Sequence, residues 1–420
     1  MNTAAVILAG GRGERMGVLC HSRPKPSLPF AGKYRVIDFS LSNCLYSGLS
    51  NIAVLTDYNR ALLADYVNHW RGTNAPDANL RTLEPKNGSY NGTADAVFQC
   101  LPSFGKNRTD TFLILAADHV YRMDYRRMLA FHRDSKADIT LGIIPVSEEQ
   151  ARRFGTVNLG MDDRITDFYE KSCASPSRLA SMGVYIFNRD VLEQCLADDS
   201  ANPASQHDFG YSVLPQAVKD RRVFAYMFGG YWRDIGTIDT YYETNLDLNR
   251  AGSRLSMDGE SPVLTHEKLS IQSCMGKEAG VTGSVISPGC VVRGRVENSV
   301  LSPRVWVDEG AFVRDSIIMG NVFIGRDSVV DGAILDEWVK VGSHSYIGLG
   351  HVPGGINEIV TVLGPGVTVP PDTIMERKHK VQLENVPRPV AGSVVEPPAS
   401  IFNQPVTGLV QDGEVSPVEV

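Results

Sequence analysis

The sequence predicts an α/β protein in which a Rossmann-like, mostly parallel sheet domain is followed by a left-handed parallel β-helix. Over residues 1–250, short apolar runs alternate with helical patterns, as expected for βα units that form a parallel sheet covered by helices. From Gly283 onward the chain repeats a 17-residue unit with apolar residues about six positions apart, which is typical of hexapeptide repeats.

Six apolar runs predict the strands of the first domain, and the first of them ends directly before Gly10 and Gly11. The predicted strands are residues 4–8, 51–55, 111–115, 139–144, 182–187 and 223–228. Helical patterns between them predict helices over residues 58–70, 94–101 and 125–135. Ligands of such sheets bind at the carboxyl ends of the strands, so we expect the functional residues there.

The repeats predict a stack of triangular coils. Residues 298–314, 315–331 and 332–348 align as three units, and residues 283–297 resemble a shorter copy. The predicted inward anchors are Leu301, Val307, Val313, Ile318, Ile324, Val330, Leu335, Val341 and Ile347. A row of ordinary antiparallel strands is the alternative, and the regular period disfavours it. We expect the stack to pack on the first domain and to support assembly.

These patterns divide the chain into four parts. The sheet domain is predicted at 1–250, a linker at 251–282, the β-helix at 283–375 and a Pro-rich, flexible tail at 376–420.

The composition excludes several classes of protein. The 420 residues carry a net charge of −7, so the chain lacks the basic surplus of a nucleic-acid-binding protein. No stretch approaches the roughly 18 apolar residues of a membrane span, and the N-terminus does not resemble a secretory signal. The seven cysteines are dispersed without a C-x-x-C pair, which favours reduced thiols over disulfides or a zinc site. We therefore expect a cytoplasmic protein with no membrane or nucleic-acid partner.

A glycine-rich loop, LAGGRGERM, follows the first predicted strand. Glycines let the backbone approach phosphate oxygens, a helix N-terminus after the loop favours negative charge, and arginines suit bidentate contact with a triphosphate. The loop is neither a Walker A motif nor a dinucleotide fingerprint, and a glycine turn with solvated arginines is the alternative. The predicted nucleotide-binding residues here are Leu8, Gly10, Gly11, Arg12 and Gly13, with Arg15 on the triphosphate.

The segment Arg23-Pro24-Lys25-Pro26 carries a second basic group. Its prolines disfavour helix and stiffen the backbone, so they would hold Lys25 over a nearby phosphate. A basic surface turn is the alternative.

These two motifs, followed by AGKYRVIDFSLSN, resemble the nucleotidyltransferases that make nucleotide sugars. Later motifs narrow the resemblance to the glucose-1-phosphate adenylyltransferase family, whose members are also called ADP-glucose pyrophosphorylases. These motifs are YNGTADA at 90–96, ADHVYRMDY at 117–125, LASMG at 179–183, HDFG at 207–210 and YWRDIGT at 231–237. They occur in the family's order over about residues 4–348.

The resemblance implies an enzyme that makes ADP-glucose and pyrophosphate from ATP and glucose 1-phosphate, the committed step of glycogen- or starch-type α-glucan synthesis. It implies that Asp118 and Asp234 hold Mg²⁺ and that Arg15 and Lys25 stabilise the triphosphate, which makes these four the catalytic residues. Asp118 also follows an apolar run, as expected at the carboxyl end of a strand. Mg²⁺ prefers oxygen ligands and is commonly shared with substrate phosphates.

The resemblance also implies binding roles. Tyr90, Gly92 and Thr93 match the nucleotide-base loop, and Lys33 matches a regulatory position for a sugar-phosphate activator. The family precedent is a homotetramer. The positions that match the sugar-phosphate site are Gly155, Glu170, Lys171, Ser181, Tyr185, Asp208, Phe209 and Trp232.

The chain departs from the family pattern at its regulatory positions. Residues 71–93 contain no glutamine, and Ser50-Asn51 replaces a basic pair. These departures predict weak activation by fructose 1,6-bisphosphate or fructose 6-phosphate and leave the base preference open. Three alternatives remain: an enzyme for UDP-, dTDP- or GDP-sugars, a non-catalytic regulatory subunit, and a hexapeptide acyltransferase that uses His344 or His351.

Overall fold

The structure, a computed structural model, describes residues 2–86, 88–105, 109–173, 175–249, 253, 255–259, 261–266, 271–350, 360–377 and 380–381. Thirteen strands lie in its first part: β1 (Thr3–Leu8), β2 (Pro29–Phe30), β3 (Tyr34–Arg35), β4 (Asn51–Leu55), β5 (Asn79–Leu83), β6 (Thr111–Ala116), β7 (His119–Tyr121), β8 (Ile139–Pro145), β9 (Gly155–Leu159), β10 (Ile165–Glu170), β11 (Leu179–Asn188), β12 (Val223–Met227) and β13 (Trp232–Asp234). The helices are α1 (Ile37–Tyr46), α2 (Arg60–Asn74), α3 (Thr93–Cys100), α4 (Tyr125–Asp134), α5 (Glu148–Ala151), α6 (Arg189–Ala201), α7 (Leu214–Asp220) and α8 (Ile238–Leu246).

A nine-stranded sheet forms the centre of the first domain, with the order β10-β9-β11-β6-β1-β4-β5; in addition, β8 pairs with β11 and β12 pairs with β8. Strands β6, β1, β4 and β5 are parallel. The apolar side chains on both faces of β1 are buried. Such continuous apolar runs are expected where helices cover both sides of a sheet. Helices α1, α2 and α4 pack on one face, and α3, α6 and α7 pack on the other.

All six predicted strands and the three named helices are present; the strand at 51–55 has the predicted bounds, and the other elements have shifted ends. The strand predicted at 182–187 is longer, at Leu179–Asn188, and it runs antiparallel to both β6 and β8. Strand direction depends on the connections between strands, so an apolar run alone does not indicate it. The short or more polar strands, such as β5, β7, β10 and β13, carry no strong apolar pattern.

The second part of the chain forms three parallel ladders of six strands each. Each strand pairs with the strand three positions further along the chain, so that three strands make one coil. The stacked coils form a left-handed parallel β-helix. All nine predicted anchors are fully buried, which confirms the six-residue interpretation. The strands are β14 (Cys274–Met275), β15 (Gly280–Thr282), β16 (Val285–Ile286), β17 (Val291–Val292), β18 (Arg295–Glu297), β19 (Val300–Leu301), β20 (Trp306–Val307), β21 (Phe312–Arg314), β22 (Ile317–Ile318), β23 (Phe323–Ile324), β24 (Val329–Asp331), β25 (Ala333–Leu335), β26 (Lys340–Val341), β27 (Tyr346–Leu349), β28 (Thr361–Leu363), β29 (Thr368–Val369), β30 (Ile374–Glu376) and β31 (Lys380–Val381).

The ladders begin at Cys274 and end at Val381, so they extend to both sides of the predicted range 283–375. Residues 274–282 fill the first coil with Gly280 and exposed side chains, which hides the six-residue pattern from sequence reasoning. Most of the predicted flexible tail at 376–420 lies outside the described residues, as does His351.

One face of the β-helix packs on the first domain. Tyr241 and Tyr242 of α8 share a core cluster with Phe30 and with coil residues such as Val300 and Ile317. This packing agrees with the expected contact between the two parts. In the described part of the chain, no helix is both long and apolar enough to cross a membrane.

Candidate active site

Two acidic residues that are far apart in the sequence meet at the carboxyl edge of the central sheet. Asp118 follows β6, and the short strand β7 begins at the next residue. Strand β13 pairs antiparallel with β7 so that Asp234 lies opposite His119. One ligand atom from each of Asp118, His119 and Asp234 lies within 4.8 Å of the others. The structure therefore brings the two predicted metal ligands together.

Lys25 lies against both carboxylates. Its Nζ is 2.7 Å from Asp118 Oδ2 and 3.5 Å from Asp234 Oδ1, and the residue is 6% exposed. Burial by itself lowers the pKa of Lys25, but the two carboxylates raise it above its ordinary value. Burial likewise acts to raise the pKa of Asp118, yet the Lys25 ammonium and His119 hold it well below its usual range. Lys25 and Asp118 are therefore both charged at neutral pH.

His119 is a site residue that sequence reasoning missed. Its Nε2 is 3.5 Å from Asp118 Oδ1 and 3.7 Å from Asp234 Oδ1, while Nδ1 is 2.9 Å from the carbonyl oxygen of Met182. The only sequence signal was its position directly after Asp118. The ring also packs edge-on against Trp232, with centroids 5.1 Å apart.

The glycine-rich loop connects β1 to a 3-10 turn over Glu14–Cys20 that is kinked at Gly17. The predicted helix N-terminus is therefore absent here, because the kink prevents a regular α-helix with an aligned dipole. Arg12 and Arg15 are exposed, and the Arg12 guanidinium lies 6.0 Å from the centre of the Tyr58 ring. With no aligned helix dipole, the two arginines are the source of positive charge in this loop.

Arg15 reaches the edge of the acidic cluster. A Cβ on Gly236 would lie 3.1 Å from Arg15 Nη2 and 2.7 Å from Asp234 Oδ2. A cleft opens beside this point, and its walls include the side chains of Arg153, Phe154, Trp232 and Arg233. The cleft is thus rich in arginine next to Asp234.

The predicted base loop is fastened to the HDFG segment. Thr93 Oγ1 donates to Asp208 Oδ2 at 2.9 Å and accepts from the amide of Phe209 at 3.0 Å. The amide of Ala94 donates to the carbonyl oxygen of His207 at 2.8 Å. Gly92 permits this contact because a Cβ there would lie 2.8 Å from the Gln206 carbonyl oxygen and closer still to that of His207.

Asp208 and Tyr90 also make structural contacts. The second oxygen of Asp208 accepts from the amides of Gly210 at 2.8 Å and Tyr211 at 3.1 Å, which caps the π-helical turn Phe209–Val213. The hydroxyl of Tyr90 donates inward to the carbonyl oxygen of Leu83 at 3.3 Å.

Glu170 and Lys171 lie at the end of β10. Lys171 Nζ is 3.0 Å from Glu170 Oε1 and 5.3 Å from the centre of the Tyr211 ring, and its side chain is half exposed. Burial raises the pKa of Glu170 despite the contact with Lys171. A Cβ on Gly155 would come within 2.6 Å of Glu170 Oε2, so the glycine leaves room for the carboxylate. An anionic oxygen beside Lys171 would find an accessible ammonium.

The other predicted sugar-phosphate residues are buried. Ser181 Oγ lies 3.4 Å from the Tyr185 hydroxyl, and Phe209, at 2% exposure, packs on the Tyr185 ring. Trp232 is 5% exposed, and its Nε1 has no hydrogen-bond partner among the described residues. The binding roles of all these residues stay predictions.

Lys33 lies away from the acidic cluster, in a cleft between the β2–β3 turn and the β-helix. The cleft is lined by Lys33, Arg35, Arg304, Asn321 and Glu337, among others. His344, the histidine of the acyltransferase alternative that falls within the described residues, is exposed on a coil and lies 3.9 Å from Asp327.

Comparisons with known proteins agree with this architecture. Residues 4–251 match the nucleotidyl transferase family, and residues 269–369 match the GlmU-like C-terminal hexapeptide family. Three similar relatives are named glucose-1-phosphate adenylyltransferase. That of Desulfitobacterium hafniense (strain DSM 10664 / DCB-2) is 38% identical over 387 residues, which are 90% of this chain and 97% of the relative. Those of Acetivibrio thermocellus and Clostridium perfringens (strain SM101 / Type A) are 39% and 40% identical, over 87% and 76% of this chain and 89% and 85% of the relative.

The chain belongs to the glucose-1-phosphate adenylyltransferase family. This confirms the resemblance inferred from the motifs and makes the protein a nucleotidyltransferase enzyme. Nucleotidyltransferases of this kind generally use a divalent metal. The donor set fits that requirement, because the carboxylates of Asp118 and Asp234 lie side by side. Both already contact the cationic ammonium of Lys25, so the position between them favours positive charge.

Proposed function

We propose that this member of the glucose-1-phosphate adenylyltransferase family transfers an adenylyl group from ATP to glucose 1-phosphate. The observation that carries the proposal is the meeting of Lys25, Asp118 and Asp234 at the carboxyl edge of the sheet. It occurs in a chain that matches a relative named glucose-1-phosphate adenylyltransferase over 97% of the length of that relative.

The reaction is an in-line displacement. A phosphate oxygen of glucose 1-phosphate forms a bond to the α-phosphorus of ATP. The bond from that phosphorus to the bridging oxygen breaks, and its electron pair leaves with pyrophosphate. The nucleophile is already an anion, so no side chain has to remove a proton from it. The task of the protein is alignment and charge neutralisation.

The basic residues divide that task. Arg12 and Arg15 lie on the loop after β1, where they bind and orient the triphosphate with the glycine backbone. Lys171 binds the attacking phosphate, and its contact with Glu170 aims the ammonium. Lys25 neutralises charge on the triphosphate and on the departing pyrophosphate. Arg15 also lies near Asp234, which supports a triphosphate bound next to the proposed metal site.

The metal is proposed to be Mg²⁺, held by Asp118 and Asp234. When bound, it supplies Lewis-acid neutralisation of phosphate charge. His119 lies beside both proposed ligands, with its Nδ1 2.9 Å from the Met182 carbonyl oxygen and its Nε2 facing the two acids. Its nitrogen is a less suitable ligand for Mg²⁺ than carboxylate oxygen.

The fastened loops explain how both substrates are positioned. Gly92 and Thr93 belong to the proposed base loop, whereas Asp208 and Phe209 belong to the proposed hexose loop. Because hydrogen bonds join these loops, three of them at 2.8–3.0 Å, movement of either one is transmitted to the other. Trp232, which lines the cleft beside Asp234, is proposed to contact the hexose.

The remaining proposals concern regulation, oligomeric state, cellular location and domain boundaries. Lys33 is proposed to bind a sugar-phosphate activator in the cleft between the two domains, where Arg304 adds positive charge and Glu337 opposes it. That opposing carboxylate, with the missing glutamine and basic pair, supports weak activation by fructose 1,6-bisphosphate or fructose 6-phosphate. A homotetramer is proposed from the family precedent, and a cytoplasmic location is proposed from the sequence patterns. The division into a sheet domain, a linker, a β-helix and a tail is also proposed, with the β-helix extended to the observed ladders from Cys274 to Val381.

A direct assay tests the function. The purified full-length protein is incubated with Mg²⁺, labelled glucose 1-phosphate and ATP, UTP, dTTP or GTP in separate reactions. We expect ADP-glucose and pyrophosphate to form fastest with ATP. Equal or faster turnover with another nucleotide would contradict the adenylyl assignment, and no turnover with any of them would support a non-catalytic subunit instead.

A further inference from the structure

A network of buried ion pairs joins the Arg-Pro-Lys-Pro segment to the β-helix. Arg23 is 5% exposed and pairs with Asp336, while its Nη1 donates to Glu337 Oε2 at 3.0 Å. Arg35 Nη2 donates to the other oxygen of Glu337, also at 3.0 Å. Asp336 is fully buried at the corner after β25. The β-helix thus contributes two carboxylates to the neighbourhood of the catalytic loop.

Only one residue separates Arg23 from the lysine of the active site. Pro24 is extended at φ −70° and ψ 146°, and a 3-10 turn follows over Lys25–Ser27. Ser27 Oγ and the Ser27 amide both donate to the carbonyl oxygen of Pro24, at 2.8 and 3.0 Å. Because proline fixes its own φ and restricts the residue before it, a displacement of Arg23 moves Lys25 with it.

Stability alone does not account for the presence of these ion pairs. The cost of removing a buried ion pair from water roughly cancels its attraction, and apolar replacements of similar shape are often as stable. Apolar packing also holds the two domains together, around Phe30 and Tyr241. What the ion pair adds is a defined position, since the planar guanidinium is held in a fixed fork geometry.

We propose that Asp336 is a positioning residue for the transfer reaction, and that it acts through Arg23 to hold Lys25 against Asp118 and Asp234. The β-helix then takes part in catalysis by fixing the catalytic lysine. This inference rests on the proposed function, because it assigns Lys25 to the transfer step.

The first test replaces Asp336 with Asn, which keeps the shape and removes the charge. We expect kcat to fall about tenfold, since a misplacement near 1 Å can cost up to about 10²-fold. The KM for glucose 1-phosphate should stay within about twofold of wild type. Asp331→Asn is the matched control. Asp331 is 4% exposed and pairs with Arg314 at 2.6 Å and Arg377 at 3.1 Å, within the β-helix, so its kcat should be unchanged.

A double-mutant cycle separates positioning from a general structural effect. In a Lys25→Ala background, Asp336→Asn should cause no further loss of kcat, because the group through which it acts is gone. If the two losses multiply instead, Asp336 does not act through Lys25 and the inference is wrong.

If thermal melting shows that Asp336→Asn does not fold, Arg23→Lys provides a second variant. It keeps the charge and loses the bidentate fork, so kcat should decrease several-fold in wild type and not at all in the Lys25→Ala background. Wild-type kcat in a folded Asp336→Asn or Arg23→Lys protein overturns the inference and leaves the proposed function intact. Failure of the wild-type protein to transfer any nucleotide overturns the proposed function instead.

Discussion

Substitution of Gly92 by Ala should damage both substrate sites at once. The added Cβ would lie 2.8 Å from the carbonyl oxygen of Gln206 and nearer still to that of His207. The optimal van der Waals separation for carbon is about 3.5–4.0 Å, so the loop that carries Gly92 and the loop that carries His207 must move apart by on the order of 1 Å. Both obstacles are backbone atoms, which cannot rotate away as a flexible side chain can.

The size of the kinetic effect follows from the hydrogen bonds that join the two loops at this contact. The hydrogen bonds from Thr93 to Asp208, from Phe209 to Thr93 and from Ala94 to His207 all span the same gap, at 2.8–3.0 Å. Overpacking of this kind typically costs about 1–3 kcal/mol. A 1 Å misplacement of reacting groups costs up to about 10²-fold in rate. We expect kcat/KM to fall about 10- to 100-fold for ATP and for glucose 1-phosphate alike.

The assay is steady-state kinetics with each substrate varied in turn, together with urea unfolding. Gly72→Ala is the control, because Gly72 is exposed in the last turn of α2 and a Cβ there meets no atom within 4 Å. That variant should keep full activity and gain about 0.4–1 kcal/mol in the free energy of unfolding. A Gly92→Ala enzyme with normal kinetics for both substrates would show that the two loops are not coupled. A loss confined to one substrate would refute the shared fastening.

Three further predictions concern single charged groups. Asp118→Asn should lower kcat about 10²–10³-fold at saturating Mg²⁺ with a smaller effect on substrate KM; near-normal turnover would exclude Asp118 as the metal-holding carboxylate. Lys171→Ala should chiefly raise the KM for glucose 1-phosphate, because it removes ground-state binding of that phosphate; an unchanged KM would contradict this role. Burial raises the pKa of Asp38 to about 7 although Arg35 and Tyr66 donate to it. The native state therefore keeps a proton that the unfolded chain releases above about pH 4, so the contribution of this group to stability falls as pH rises to about 7 and is constant beyond. The free energy of unfolding of wild type relative to Asp38→Asn should fall by up to about 1.4 kcal/mol per pH unit between pH 5 and 7 in urea titrations, and a flat difference would contradict the assignment.

The sequence determined the architecture because its signals are periodic. Apolar runs bounded by Gly10 and Gly11, and anchors six residues apart such as Val307 and Val313, each require burial on a fixed spacing. Ordered motifs determined the family in the same way. The first coil escaped this reasoning because Gly280 and its exposed neighbours lack the anchor pattern.

Only the tertiary structure decided which groups act together. His119 gained a place in the site through the pairing of β7 with β13, which sets it opposite Asp234. The direction of β11 and the kink at Gly17 follow from packing and backbone geometry that no local pattern encodes. Arg23 appeared in the sequence as one charge in a basic turn, and its burial against Asp336 depends on contacts between residues more than 300 positions apart. Such contacts form because burying charged groups is costly unless they meet a partner, and the chain finds that partner only when both domains are folded and packed together.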